Sequence, residues 1–212
     1  MPNPQRRKTA LCRDSVMGVF MADAFLDCQD SAAMLTEIGR LRGEVARLER
    51  QVAELDRLAH LDALVPLANR RGMMRVLERL IARFERHGDP AAVLFIDLDG
   101  LKVLNDSFGH GGGDAALVHV AQQLLQGTRA TDCVARLGGD EFCVLLDRAD
   151  ERSAIETAER LVNEIAGEEL LFEGSVMPLS VAIGLTMIEQ GDTPAAILAR
   201  ADQAMYRVKA AA

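Results

Sequence analysis

Apolar residues recur with a heptad period from Met34 to about Ala59. Ile38, Val45 and Val52 share one position, and Met34, Leu41, Leu48 and Leu55 share the other, with Glu, Arg and Gln between them. β-Branched residues at a with leucine at d favour a parallel two-stranded coiled coil, so the pattern predicts a dimerising helix over 31–59. An amphipathic helix packed on its own domain is the alternative. The seam ends where Asp62 takes the next d position. Residues 1–30 carry no readable pattern, are expected to be partly disordered, and are too few for a conventional sensor domain.

Beyond residue 60 the period alternates between that of helices and that of strands. Helices are predicted over 70–87, 101–108, 114–126 and 151–165, and "PAAILARADQAMYRVKAAA" closes the chain as another. The run "AVLFIDLD" reads as a strand, "CVARLGGDEFCVLL" as a hairpin turning at Gly138 and Gly139, and 171–188 as a second β region. This order predicts one α/β or α+β domain over 60–212, with a central mixed sheet flanked by helices.

Composition narrows the partners. The 212 residues are 49% hydrophobic, ample for a packed core, and carry a formal net charge of −8. That charge argues against sequence-independent binding to nucleic acid or anionic membranes. "VMGVFMADAFL" is broken by Asp23 and too short for a membrane span, and no small-residue cleavage site follows the basic "QRRK". Cys12, Cys28, Cys133 and Cys143 form no CxxC pair, which predicts a reducing, cytoplasmic setting. His60, His87, His110 and His119 have no spacing with them that suggests zinc.

The candidate chemistry lies at strand ends. "VLFIDLD" is apolar through Ile96 and then reaches Asp97 and Asp99. A continuous apolar run marks a strand buried on both faces, so acids at its end emerge where open sheets bind ligands. Capping of the following helix is the competing explanation. The hairpin adds Asp140 and Glu141, predicted to begin the returning strand on opposite faces, so that at most one points the same way as Asp97. Gly138 and Gly139 leave the backbone bare for close approach by a ligand. Carboxylates converging from two strands suit Mg2+, whose shell is commonly completed by water and substrate phosphates.

These residues resemble a known family. "RLGGDEF" is similar to the signature of GGDEF-domain diguanylate cyclases, and "DLDGLKVLNDSFGHGGGDAAL" to that family's first strand and nucleotide-binding segment. "DALVPLANRR" and "LARADQAMYRVK" resemble its opening and closing motifs, so four motifs agree in register across about residues 60–212. The resemblance implies a nucleotidyl-cyclase-like fold and the condensation of two GTP into cyclic di-GMP with release of two pyrophosphates, by a homodimer. It implies that Asp97, Asp140 and the Leu98 carbonyl hold two Mg2+ or Mn2+ ions, and that Asp140 or Glu141 assists deprotonation of the attacking 3′-hydroxyl. Asn105 and Asp114 would read the guanine edge, with His110 in the same segment, while Lys102 and Lys209 would meet the phosphates. Phosphoryl transfer depends chiefly on such positioning and charge neutralisation.

"RATD" places Arg129 and Asp132 just upstream of the glycines. An RxxD at this spacing resembles the family's inhibitory site for its product, with Arg160 as a further contact; a solvated surface pair is the alternative. Departures from the family pattern are Val65 and Pro66 for Thr-Gly, Leu101 for phenylalanine and Ala182 for serine. The sequence also stops three residues after Lys209, before the usual Gly-Arg-Asn and its phosphate-binding arginine. A catalytically inactive domain that binds cyclic di-GMP, or serves only for dimerisation, is the rival function.

Overall fold

The structure, a computed structural model, describes the backbone of residues 11–211 and side chains over 33–210. The chain divides into two units after Leu55. The first is carried by α1 (Leu11–His60), helical well upstream of the predicted coiled coil. The expectation of disorder over 1–30 therefore does not hold from Leu11 onward, and for 1–10 it lies outside the described residues. The side chains of Met34, Ile38, Leu41, Val45, Leu48, Val52 and Leu55 are between 39% and 66% exposed, so the heptad stripe is uncovered. Between them Arg40 and Arg47 pair with Glu37 and Glu44 one turn earlier, exposed contacts that steady the helix only slightly. Among the described residues no helix is long and apolar enough to cross a membrane.

The second unit is built on a five-stranded mixed sheet of β1 (Ala68–Asn69), β3 (Cys133–Gly138), β4 (Glu141–Asp147), β2 (Ala91–Leu98) and β7 (Val181–Met187), in that order. β1 runs parallel to β3, and every other pairing is antiparallel. β2 is central and carries helices on both faces. Alternation sends Val93 and Phe95 into one core with Met73, Leu77, Ile197 and Met205, from α2 (Arg70–His87) and α5 (Pro194–Ala211). It sends Leu94, Ile96 and Leu98 into the other with Leu117, Leu124 and Leu161, from α3 (Leu101–Gln126) and α4 (Glu151–Gly167). Burial on both faces is why β2 reads as an unbroken apolar run.

Local signals set the helix ends. Asn69 Oδ1 accepts from Gly72 N at the start of α2, and Gly88 closes it in the left-handed conformation, donating its N–H to Phe84 O. Asp150 caps α4 in the same way through Ser153 N. Two predicted boundaries are corrected. Helical structure resumes directly after a kink at Gly109 (φ 70°, ψ 175°), four residues before the predicted 114, because Gly112 and Gly113 are buried in the turn against Phe108 and Asn105. The β region predicted over 171–188 separates into β7 and a two-stranded sheet of β5 (Leu170–Phe172) and β6 (Ser175–Met177).

Cys133 is half-buried and Cys143 fully buried as free thiols on one sheet face, and burial pushes both thiols up, that of Cys143 strongly. Cys12 and Cys28 lie outside the residues whose side chains are described.

Candidate active site

The strand parity that fills the two cores also aims the acids. Asp97 continues the alternation of Val93 and Phe95, and Glu141 that of Cys143 and Leu145, so both project on the α2/α5 side. They are direct cross-strand partners in the β2–β4 ladder. Asp140 is not on the strand. The register slips between Arg136 and Gly138, Gly138 then pairs with Glu141, and the two-residue turn is Gly139 and Asp140. The predicted Gly138/Gly139 turn is thus displaced by one residue, and the irregularity at Leu137 is the reason.

This turn is held from several sides. The Asp140 carbonyl accepts from Leu98 N at 3.0 Å, stitching it to the end of β2. Arg136 donates through Nε and Nη2 to the Gly139 carbonyl at 3.1 and 2.8 Å. The same guanidinium reaches Asp62 Oδ1 at 3.3 Å, and that carboxylate also accepts from Leu64 N and Val65 N. Burial opposes the charge on Asp62, yet the two amides and Arg136 hold its carboxyl below the usual range. Sequence reasoning gave neither Asp62 nor Arg136 a role, because they lie 74 positions apart and only the fold joins them.

Negative charge is crowded at the end of β2. Burial pushes the Asp97 carboxyl above its ordinary value, with Asp140 and Asp99 adding to the rise and Lys209 opposing it. Burial also raises Glu141; Arg70 opposes that, while Asp140, Asp97 and Asp202 add to it. Lys209 comes down from α5 to touch Asp97 and lies 3.5 Å from Asp99. Burial works against its ammonium, but those two carboxylates outweigh burial and raise its proton affinity. Asp99 is itself hydrogen-bonded by Ser180 Oγ at 2.9 Å.

Among the described residues no three His, Cys, Asp or Glu side chains stand close enough to hold a metal ion unaided. The donor set still fits a hard divalent cation: Asp140 adds to the rise of both Asp97 and Glu141, Asp97 adds to that of Glu141, and a lysine already sits against the Asp97 carboxylate. A site of this kind takes water and phosphate oxygens as its remaining ligands.

The other predicted residues fall into two places. Lys102, His110 and Asp114 are exposed along α3, and Asn105 is half-buried there. Asn105 lies across Gly113, where an added Cβ would come within 2.1 Å of Asn105 Oδ1, so only glycine lets the amide settle next to Asp114. Arg129, Asp132 and Arg160 meet around a small pocket of about 60 Å3, shared with Ser153 and Thr157. There Asp132 accepts from Arg129 N at 2.8 Å and from Asp147 N at 3.1 Å, and Arg160 donates to Gly127 O at 2.7 Å. Burial raises the Asp132 carboxyl in spite of Arg129.

The family model described as "Diguanylate cyclase, GGDEF domain" matches residues 59–212. The chain is 40% identical over 183 residues to the diguanylate cyclase TpbB of Pseudomonas aeruginosa, covering 85% of this chain and 41% of that protein. It is 36% identical over 183 residues to the response regulator PleD of Caulobacter vibrioides, covering 85% and 40%. It thus spans about two fifths of the length of these relatives. Among solved structures, the coiled coil and GGDEF domain of DgcB from Caulobacter crescentus, in complex with c-di-GMP, superposes with a TM-score of 0.78 at 26% identity, covering 84% of this chain and 95% of that one. The isolated GGDEF domain of TpbB gives 0.69 at 40% identity, covering 72% and 90%.

Proposed function

Because the chain belongs to the GGDEF-domain diguanylate cyclase family, we propose that it condenses two GTP into cyclic di-GMP and releases two pyrophosphates as a homodimer. The observation that carries the reading is the facing pair Asp97 and Glu141 at the end of a buried strand, with Asp140 in the adjoining turn. Asp97, Asp140 and the Leu98 carbonyl hold Mg2+ or Mn2+, which supplies charge neutralisation at the triphosphate when bound. Asp140 or Glu141 takes the proton of the attacking 3′-hydroxyl as its oxygen bonds to the α-phosphorus of the other GTP and pyrophosphate leaves. Bare backbone at Gly138 and Gly139 lets the triphosphate approach, and Lys102 and Lys209 bind its oxygens. The Asp114 carboxylate and Asn105 amide read the guanine edge, near His110.

Each domain, residues 60–212, holds one GTP, so two must face each other. A second copy covering the exposed stripe over 31–59 would bring them together at high effective concentration. Product binds at Arg129, Asp132 and Arg160, where guanidinium forks suit phosphates and guanine edges. The DgcB complex with c-di-GMP supports that ligand class, and the free thiols of Cys133 and Cys143 suit a reducing cytoplasm. Purified protein incubated with GTP and Mg2+ should yield cyclic di-GMP and pyrophosphate in a 1:2 ratio by chromatography. GTP binding without product would instead assign the chain to the inactive, cyclic di-GMP-binding class.

A further inference from the structure

The segment that carries the base-reading residues is built against its own conformational preference. Gly109 takes a positive φ, and 111–113 are three consecutive glycines entering a helix, each costing about 1 kcal/mol relative to alanine. Such a turn needs packing from outside to keep one conformation. On the inner side it has Phe108 and Asn105, and an added Cβ on Gly112 would lie 2.4 Å from Phe108 Cβ.

The outer side is covered by a side chain from a different part of the fold. Phe172 Cζ is 3.6 Å from where a Cβ would stand on Gly111, and its Cε1 is 3.6 Å from that position on Gly112. Phe172 is itself fixed at the tip of a hairpin: it pairs with Ser175 across Glu173 and Gly174, whose positive φ angles of 48° and 81° suit the tight turns of right-twisted strands. The ring therefore meets the glycine turn from a locally closed hairpin. Immediately C-terminal to that turn, Gly113 receives Asn105, and Asp114 follows.

We propose that Phe172 is a positioning residue for guanine selection: through Gly111 and Gly112 it fixes the turn that sets Asn105 and Asp114 against the base. This rests on the reading of Asn105 and Asp114 given above. The hairpin itself offers no polar group to the nucleotide in this role; it acts by removing alternative conformations of the turn, so the effect falls on selectivity.

The full-length chain is titrated with a non-hydrolysable GTP analogue and with its inosine counterpart, which lacks the 2-amino group that a carboxylate can accept. Wild type should favour the guanine analogue by roughly tenfold or more, the scale of a hydrogen bond to a charged group. Phe172→Ala should weaken the guanine analogue about tenfold, leave the inosine analogue within about threefold, and speed amide exchange over 109–114. Phe172→Leu, which keeps an apolar contact, should restore most of the preference. If the alanine variant does not fold, Phe172→Val is measured in its place. An unchanged guanine-to-inosine ratio in a folded Phe172 variant, even at reduced thermal stability, overturns the inference. Asp114→Ala keeps the two claims separate: if it leaves the preference intact, the base-reading assignment fails, whereas if it abolishes the preference and Phe172→Ala does not, only the role of Phe172 fails.

Discussion

The end of β2 and the RxxD pocket are both lined by acids and arginines or lysines, and burial raises the carboxyls of both, yet they differ in what surrounds those acids. In the pocket the charged groups are already engaged by the protein. Asp132 accepts from two backbone amides, and Arg160 donates to a backbone carbonyl. At the β2 end the acids have few donors and many acidic neighbours, and both Asp97 and Glu141 hold their protons more tightly than a solvated carboxyl does. In the first place backbone groups meet much of the charge, whereas in the second acid crowds acid and Lys209 offsets only part of it. On the proposed reading, a site that takes triphosphate with its counterions gains by being left in that state, because the cation then relieves a penalty that already exists.

The strongest way to break this contrast is to remove charge from the unbalanced end. Asp140→Asn should lower turnover by about 10³-fold or more with the melting temperature within a few degrees of wild type, since the amide keeps the shape and loses both the cation ligand and the proton acceptor. Cyclic di-GMP binding at the pocket should be unaffected in the same variant, as titration calorimetry would report. Near-normal product formation would exclude Asp140 from the chemistry.

Next in size is a change that separates the two places by stoichiometry. Leu48→Lys sets like charges against each other at a d position of the stripe, at a cost of several kcal/mol when unpaired. Turnover should then fall about 10–100-fold at low protein concentration and recover as concentration rises, because two loaded domains must meet. The pocket draws Arg129, Asp132 and Arg160 from one domain, so its affinity for cyclic di-GMP should survive. A variant that light scattering shows to be monomeric, yet is fully active when dilute, would refute the two-domain mechanism.

Arg129→Ala tests the pocket. Losing one charged donor should weaken cyclic di-GMP about 10–100-fold and let turnover continue past the point at which wild type stalls. Unchanged product affinity would return Arg129 and Asp132 to an ordinary surface pair.

The smallest expected effect sharpens the electrostatic half of the contrast. Glu141 titrates above 4.5 in the folded chain, so the folded state binds protons more tightly than the unfolded one. Its charge therefore costs stability progressively as pH rises through the folded value, and that cost is absent below the unfolded value. Glu141→Gln should accordingly raise the melting temperature of the metal-free protein by a degree or two at pH 7 and by less at pH 4, and Mg2+ with GTP should narrow the difference. An equal shift at both pH values would show that the carboxylate is not under strain.

Much of this architecture is legible in the sequence, and particular residues show where legibility ends. The helix from Arg70 to His87 can be read to the residue because its punctuation is local: Asn69 caps one end and Gly88 closes the other. The buried run of β2 announces both its place in the sheet and the acids at its end. The turn at Gly139 and Asp140 is misread by one residue because the register slips at Leu137, and the Gly-Gly pair, the stronger local turn signal, gives no sign of that slip. β1 is two residues long and exists only because β3 lies beside it. The link from Arg136 to Asp62 is equally dependent on the fold, since 74 positions separate them. The glycines at 111–113 mislead for a further reason, since intrinsic propensity argues against helix and close packing with Asn105 and Phe108 overrules it.

The alternation along β2 makes the length of that strand a kind of reading frame. Val93, Phe95 and Asp97 keep one parity, so hydrophobic side chains and the first acid share a face. One residue inserted between them would carry Asp97 to the α3/α4 side, away from Glu141 and Lys209, while a two-residue insertion would restore the face and shift only the reach. Lineages of this domain should therefore tolerate exchange of one apolar residue for another along β2 far more readily than any odd change in its length.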